Sequence, residues 1–188
     1  MRTKLGQLIQ EYSSCDMIHE FAGTHTFKQA VMCRYTNKFG NEVYCKHQWC
    51  VRRSALQVMY NNLSSKRDKI ANAKDFEDLY KIVEGESVQY IGDLTKYDIA
   101  LRIGYLQSPQ ILPQKFVYLH AGPAKAANAL RRQGLLGKLE HTMELSTFEF
   151  LDELKTLDRK EHSIPEFATH AMIVEDFLCV KHTEIERL

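Results

Sequence analysis

The chain has 188 residues, of which 44% are hydrophobic and 26% are charged, and its formal net charge at pH 7 is +1. This composition is ordinary for a globular protein, and the chain is long enough to bury a core without disulfide bonds, which excludes a disordered class. No apolar run approaches the roughly 18 residues that cross a bilayer, so we expect no membrane-spanning segment. We therefore predict one globular domain over residues 1–188.

The number of cysteines bears on the cellular compartment in which the protein is expected. The chain has five of them, an odd number, and no apolar stretch of signal-peptide length follows its first residues. Free thiols persist in a reducing compartment, and secretion requires a signal segment. We expect free cysteines and a cytoplasmic location.

The N-terminal half contains apolar residues at helical spacing, separated by capping and turn residues. This pattern predicts helices at Leu5–Tyr12, from Thr26 as N-cap to Arg34, over the stripe from Val51 to Leu63, and from Asp75 as N-cap to Gly85. Between these helices it predicts a turn at residues 37–41, a short strand at Glu42–Cys45, and a solvated loop at Asn61–Lys69.

The C-terminal half is divided by the four prolines of the chain. We predict a helix from Thr95 as N-cap to about Leu106, an irregular connection between Pro109 and Pro113, and an apolar run of undecided type at Phe116–Leu119. A helix should follow from Gly122-Pro123 to Gly134. We then predict a capping box at Ser146–Glu149 before another helix, and a last helix from Pro165 to about Val180. The fold class is therefore mainly α, a multi-helix domain of seven or eight helices with little sheet.

Positive charge is concentrated in the middle of the chain. Residues 96–138 carry seven basic side chains and one acidic one, whereas residues 139–188 carry five basic and 12 acidic ones. A basic segment attracts anionic partners such as nucleic acid. The alternative is that the acidic C-terminal segment folds against the basic segment and neutralises it.

The segment 88–106 predicts a helix-hairpin-helix, with a tight turn at Ile91-Gly92-Asp93-Leu94 and a second helix that Thr95 opens. Such a hairpin presents unpaired backbone N–H groups and the positive end of a helix dipole, which attract phosphate oxygens. Lys96 adds a positive charge just beyond the turn. We predict phosphate binding by Gly92, Leu94, Thr95 and Lys96; the alternative is an ordinary helical turn.

This segment resembles the helix-hairpin-helix of base-excision DNA glycosylases, whose hairpin reads roughly apolar–Pro–Gly–apolar–Gly–x–Lys–x–Ala. Ile91 stands at the proline of that pattern, Gly92 at its first glycine and Leu94 at its second. Lys96 falls where bifunctional members carry their Schiff-base lysine. The resemblance implies a fold that holds DNA backbone.

The same family carries a catalytic aspartate about twenty residues further on. Residues 114–120 contain no acidic side chain, and only His120 is suited to a polar role there. The resemblance therefore favours DNA binding without base chemistry. In the alternative, a glycosylase or lyase, Lys96 and Asp98 are the candidate catalytic residues; for Asp98 an ion pair with Arg102 in the same helix is the simpler interpretation.

The stretches 97–104 and 117–122 also resemble a group of uncharacterised bacterial proteins that share this helical layout. That resemblance suggests a bacterial relative and implies no activity.

A second candidate anion site lies at His120, Gly122 and Lys125, where a histidine, a glycine and a lysine meet a predicted helix start. The simpler interpretation is that Gly122-Pro123 begins a helix and that Lys125 is solvated. Trp49, with Arg52 and Arg53 close behind it, is a candidate surface for stacking on nucleic acid and holding phosphate. The alternative for a lone tryptophan is a core position.

One cluster has the residue types of a zinc site, namely Cys33, Cys45, His47 and Cys50. Structural zinc sites commonly use two short pairs of ligands, whereas this cluster has one group and a distant cysteine. We therefore predict buried thiols, no metal site and no cofactor.

Three functions remain open at this point. The first is an α-helical module that binds DNA backbone through Gly92–Lys96 and the basic segment that follows. The second is a DNA glycosylase or lyase that uses Lys96 or Asp98. The third is a helical interaction protein with no role on nucleic acid. The sequence does not indicate an oligomeric state.

Overall fold

The computed structural model describes residues 4–12, 15–45, 48–114, 116–136, 144–146 and 171–188. The described residues are mostly helical with four short strands, which confirms the mainly helical fold class. In these residues no helix is both long and apolar enough to cross a membrane. The chain divides into two compact units, unit 1 (Met1–Ser14 and Pro113–Leu188) and unit 2 (Cys15–Leu112). The single domain over residues 1–188 stays a prediction.

The elements follow one another along the chain as short helices and two antiparallel strand pairs. They are α1 Lys4–Glu11, α2 Cys15–Ala22, α3 Phe27–Val31, β1 Arg34–Thr36, β2 Glu42–Tyr44, α4 Arg53–Ser64, α5 Arg67–Ala71, α6 Phe76–Glu84, α7 Asp93–Leu106, β3 Phe116–Tyr118, α8 Ala121–Arg132, β4 Glu144–Ser146, α9 Ala171–Val180 and α10 His182–Ile185.

Helices α6 and α7 form the centre of unit 2. The ring of Tyr97 on α7 is fully buried and meets Phe76 and Tyr80 edge-on, at 5.8 and 6.0 Å between ring centroids. Edge-to-face pairs of this kind contribute about 0.5–1.5 kcal/mol each beyond their buried area. Gly104, near the other end of α7, lets the backbone of Ile111 approach so closely that a Cβ there would lie 2.0 Å from the Ile111 carbonyl oxygen.

The start of α3 was predicted correctly and its end was not. Thr26 caps the helix and forms a capping box with Gln29. The helix ends at Val31 instead of continuing to Arg34, because Cys33 has a left-handed backbone with φ of 50° and Arg34 then begins β1. Strand β1 pairs with β2, which was the predicted strand, around the predicted turn at residues 37–41.

The structure also decides two further segments. The sequence predicts a loop for one of them and leaves the type of the other undecided. Residues 61–69 are largely helical, because α4 runs to Ser64 and α5 buries Ile70. The apolar run after Pro113 forms β3, which pairs with β4 in antiparallel register. In contrast, Asp75 caps α6 and Gly85 ends it, as predicted.

Unit 1 is built on α8, α9 and α1. Helix α8 begins at Ala121, two residues before the predicted Pro123, which remains in the first turn where its missing N–H costs no hydrogen bond. Gly134 ends α8 with φ of 73°, as predicted, and Leu135 donates its N–H to the Leu130 carbonyl at 2.8 Å. In the predicted last helix the described part is α9, whose inner face is buried.

Part of one prediction lies outside the described residues. Ser146 is the last residue of β4, and the remainder of the predicted capping box and its helix, from Thr147 onward, is not among the described residues. The same is true of the start of the last helix at Pro165.

Candidate nucleic-acid interface

Residues 85–92 connect α6 to α7, and the N-terminus of α7 lies at Gly92. The prediction that Thr95 caps this helix is wrong, because Gly92 is the N-cap and Thr95 is the third helical residue. In the described part of the chain no side chain caps this terminus, so its first N–H groups are available to an anion. A Cβ on Gly92 would meet no atom within 4 Å, so the position is open to an approaching ligand.

The side chain of Thr95 points into unit 2. Its hydroxyl donates a hydrogen bond to Oε1 of Gln48 at 2.9 Å, and the amide nitrogen of the buried Gln48 donates to Asp98. Thr95 therefore offers only its backbone N–H to a ligand. The two bonds attach residue 48, and with it the start of the loop 48–52, to the first turns of α7.

The side chain of Lys96 contacts the C-terminal end of α6. Its ammonium group donates a hydrogen bond to the Glu84 carbonyl oxygen at 2.8 Å, and its side chain is half-buried. A cation at a helix C-terminus neutralises the unpaired carbonyl groups there. Among its neighbours, Leu94 is half-buried and Asp93 is exposed, so an acidic side chain lies at the same terminus as the open N–H groups.

Aromatic rings and guanidinium groups form two contacts in this part of unit 2, one of them at Tyr90, two residues before Gly92. The Arg52 guanidinium lies 3.9 Å from the centroid of the Tyr90 ring, and Arg53 lies 5.1 Å from that of Tyr44. Trp49 is 78% exposed and precedes Arg52 by three residues. We call the set of Arg34, Tyr44, Trp49, Tyr90, Arg52 and Arg53 the basic–aromatic surface.

Two contacts attach the loop 48–52 to the segment that precedes and begins α7. Gln48 binds Thr95 at one end of the loop, and Arg52 stacks on Tyr90 at the other. Trp49 lies between these two attachments. The sequence had indicated the group of Trp49, Arg52 and Arg53, and its alternative, a core position for Trp49, is wrong because the ring is exposed.

Arg52 at the end of the loop and Arg53 at the start of α4 have no carboxylate partner among the described residues. Across the described ranges neither Arg52 nor Arg53 forms an ion pair, whereas Arg34 is paired with Glu42 on the neighbouring strand. A guanidinium group that rests on an aromatic face keeps its N–H donors available for phosphate.

Tyr90 has a left-handed backbone conformation, with φ of 70°, although its side chain is 55% exposed. This conformation costs a residue with a Cβ about 1 kcal/mol or more, and such strain is often retained where a side chain must be presented in one direction. No local sequence pattern predicts this, because it depends on the closure of the 85–92 connection and on Arg52.

The centre of unit 2 contains a buried ion pair that the sequence did not indicate. Arg102 of α7 donates to a carboxylate oxygen of Glu20 at 2.8 Å and to the Thr24 hydroxyl at 3.4 Å. Its guanidinium also lies 5.0 Å from the ring centroid of Phe21. Arg102 is one of the seven basic residues of the segment 96–138, but its charge is buried and paired with Glu20, so it does not contribute to a basic surface.

The cysteines of the candidate zinc cluster were predicted to be buried thiols, which is correct for Cys33 and Cys45 and wrong for Cys50. Cys33 and Cys45 are buried beside the Arg102 pair, and burial raises the pKa of Cys45 to about 12 and raises that of Cys33 as well. Cys50 is exposed and His47 lies outside the described residues. In the part of the chain that the structure describes, no group of three potential ligands is arranged to hold a metal ion.

The second predicted anion site belongs to unit 1. His120 is the N-cap of α8, where it is buried and its ring stacks on Tyr118 with centroids 6.4 Å apart. Gly122 packs against α9, because a Cβ there would lie 3.4 Å from the Cys179 backbone. Lys125 is exposed. Of these three residues only Lys125 presents its side chain to solvent.

Comparison with protein-family models, curated proteins and solved structures finds no match to this chain. No family is therefore assigned to it.

Proposed function

We propose that unit 2 is a binding module for DNA that holds the phosphate backbone between the N-terminus of α7 and the arginines of the basic–aromatic surface. The observation that supports this most directly is the pair Arg52 and Arg53, which forms no ion pair among the described residues and of which Arg52 contacts Tyr90, two residues before the N-cap Gly92.

The physical reason is the complementarity of these groups to a phosphate ester. The N–H groups at Gly92 and the two residues after it point away from the helix, and the helix dipole places partial positive charge there. A guanidinium group binds phosphate oxygens in a bidentate manner. The open space around Gly92 supports close approach of the backbone.

Binding without base chemistry is favoured by the contacts of the two candidate catalytic residues. The Lys96 ammonium donates a hydrogen bond to the Glu84 carbonyl oxygen, and Asp98 accepts a hydrogen bond from Gln48. A Schiff-base lysine requires a free amine next to an acid or base that can exchange its proton. Both side chains therefore support α7 and its surroundings in this proposal.

The test is fluorescence anisotropy with labelled DNA at two salt concentrations. We expect the double variant Arg52→Gln/Arg53→Gln to weaken binding and to reduce the slope of log affinity against log salt by about 1.8 on duplex DNA, since each phosphate contact contributes about 0.9. Lys74→Gln is the matched control, because Lys74 is an exposed lysine of unit 2 outside the surface.

Two substitutions at the N-terminus of α7 should change the affinity for DNA in opposite directions. Gly92→Asp introduces a cap and a negative charge, so it should weaken DNA binding while stabilising α7 by a few tenths of a kcal/mol. Asp93→Asn removes a negative charge and should strengthen binding several-fold at low salt. A variant that binds less while unfolding at a higher denaturant concentration cannot be explained by misfolding.

If the wild-type chain binds no DNA at low salt, the proposal is wrong. Borohydride trapping with abasic DNA tests the enzyme alternative in the same samples. A covalent adduct that Lys96→Ala abolishes would replace the binding module by a lyase.

A further inference from the structure

The aromatic rings of the basic–aromatic surface are more exposed than phosphate binding requires. Trp49, the one tryptophan of the chain, is 78% exposed and Tyr90 is 55% exposed. Guanidinium groups alone are sufficient to contact phosphates. The rings therefore indicate that a partner with flat, apolar faces covers this surface.

The accompanying charge indicates the chemistry of that partner. Arg52 and Arg53 follow Trp49 by three and four residues and contact Tyr90 and Tyr44, and neither arginine is neutralised by a carboxylate among the described residues. A partner that fits must combine flat π-faces with closely spaced negative charge. Unpaired nucleotides have both, whereas duplex DNA keeps its base faces inside the helical stack.

Arg52 links the two rings, because it follows Trp49 by three residues and contacts Tyr90. Trp49 is three residues from Arg52, a separation of at most roughly 11 Å along an extended backbone. The Arg52 guanidinium in turn lies 3.9 Å from the Tyr90 ring centroid. The anchored Gln48 limits movement of the loop that carries Trp49.

From this geometry we infer that the basic–aromatic surface selects single-stranded over duplex DNA, with bases stacked on Trp49 and Tyr90 and phosphates held by Arg52 and Arg53. The inference rests on the proposed function and specifies its substrate class. Stacking tolerates any base, so the surface discriminates between paired and unpaired strands and not between sequences.

Because Trp49 is the one tryptophan, its fluorescence reports on the surface without a label. The probes are a short oligothymidylate, an abasic oligomer of the same length and charge, and a duplex of the same length. We expect the oligothymidylate to quench the emission and to bind about thirtyfold or more tightly than the abasic oligomer, since the abasic oligomer loses the stacks on both rings and each stack corresponds to about 1–3 kcal/mol. The duplex should bind more weakly than the single strand and leave the emission unquenched.

Variants are measured by anisotropy of a labelled oligothymidylate, because substitution of Trp49 removes the fluorophore. Trp49→Leu and Tyr90→Leu should each weaken binding about tenfold or more while leaving the salt slope unchanged, and Trp49→Phe should retain much of the affinity. Phe39→Leu is the matched control, because Phe39 is an exposed aromatic residue of unit 2 outside this surface. It should bind as the wild type does.

The outcomes separate this inference from the proposal on which it rests. Equal affinity for the oligothymidylate, the abasic oligomer and the duplex, without quenching, overturns the stacking inference and leaves the backbone-binding module intact. The absence of binding to all three probes overturns both. An unchanged affinity in both Trp49→Leu and Tyr90→Leu overturns stacking even where the single strand binds best.

Discussion

The buried pair of Arg102 and Glu20 allows a quantitative test of how α7 is held in unit 2. The two side chains are 5% and 9% exposed, and their charged atoms are 2.8 Å apart. Removing one partner of a buried ion pair leaves a buried charge without compensation and costs about 3–5 kcal/mol. We therefore expect Arg102→Met to lower the free energy of unfolding by about this amount, which is a large part of the roughly 5–15 kcal/mol of a typical domain.

The assay is urea denaturation of both single variants and of the double variant Glu20→Met/Arg102→Met. The double variant should regain most of the unfolding free energy that each single variant loses, because no buried charge remains in it and apolar side chains fill the space. Glu42→Ala is the control, because its partner Arg34 and Glu42 itself are 33% and 43% exposed, and exposed pairs contribute less than about 1 kcal/mol. A loss below about 1 kcal/mol in Arg102→Met, equal to that of the control, would refute the reasoning.

Further predictions concern unit 2. Gly104→Ala should destabilise the protein in thermal or urea unfolding, because the new Cβ would lie 2.0 Å from the Ile111 carbonyl oxygen, whereas Gly92→Ala meets nothing within 4 Å and should cost only the poorer N-cap, about 0.5–1 kcal/mol. The exposed thiol of Cys50 should react quickly with a thiol reagent at mildly alkaline pH, and the buried thiol of Cys45 should react only as fast as the protein unfolds. Burial raises the pKa of Cys45 from 9.0 to about 12, so the unfolded chain loses this proton first; the stability is fully present below pH 9 and should fall between about pH 9 and pH 12. A Cys45→Ser variant that loses stability over this range as steeply as the wild type would contradict that assignment.

Local patterns correctly predicted most of the ten helices among the described residues; the short helices α2, α5 and α10 were not predicted, so seven or eight helices was too few. Thr26 and Asp75 cap their helices, and Gly85 and Gly134 end theirs, because each of these effects depends on residues within one or two turns. The buried stripe of α4 follows from the 3.6-residue period in the same way. The sequence also indicated Trp49, Arg52 and Arg53 as a candidate surface for binding nucleic acid.

Other features depend on residues far apart in the sequence, and the sequence alone did not predict them. Thr95 has the side chain of an N-cap, but its hydroxyl binds Gln48, which lies 47 residues earlier. Arg102 belongs to a basic stretch, yet it is buried against Glu20, 82 residues away. The helix predicted up to Arg34 ends early because that residue pairs with Tyr44 in a strand.

The order of residues along the chain is sufficient to predict mainly helical structure, the principal helix caps, and a basic and aromatic segment near residue 50. The burial of charges, the exposure of rings and the contact of Arg52 with Tyr90 depend on how the chain packs in three dimensions. The physical reason is that caps and periodicity act within a few residues, whereas the environment of a charge or a ring depends on which distant segments pack against it.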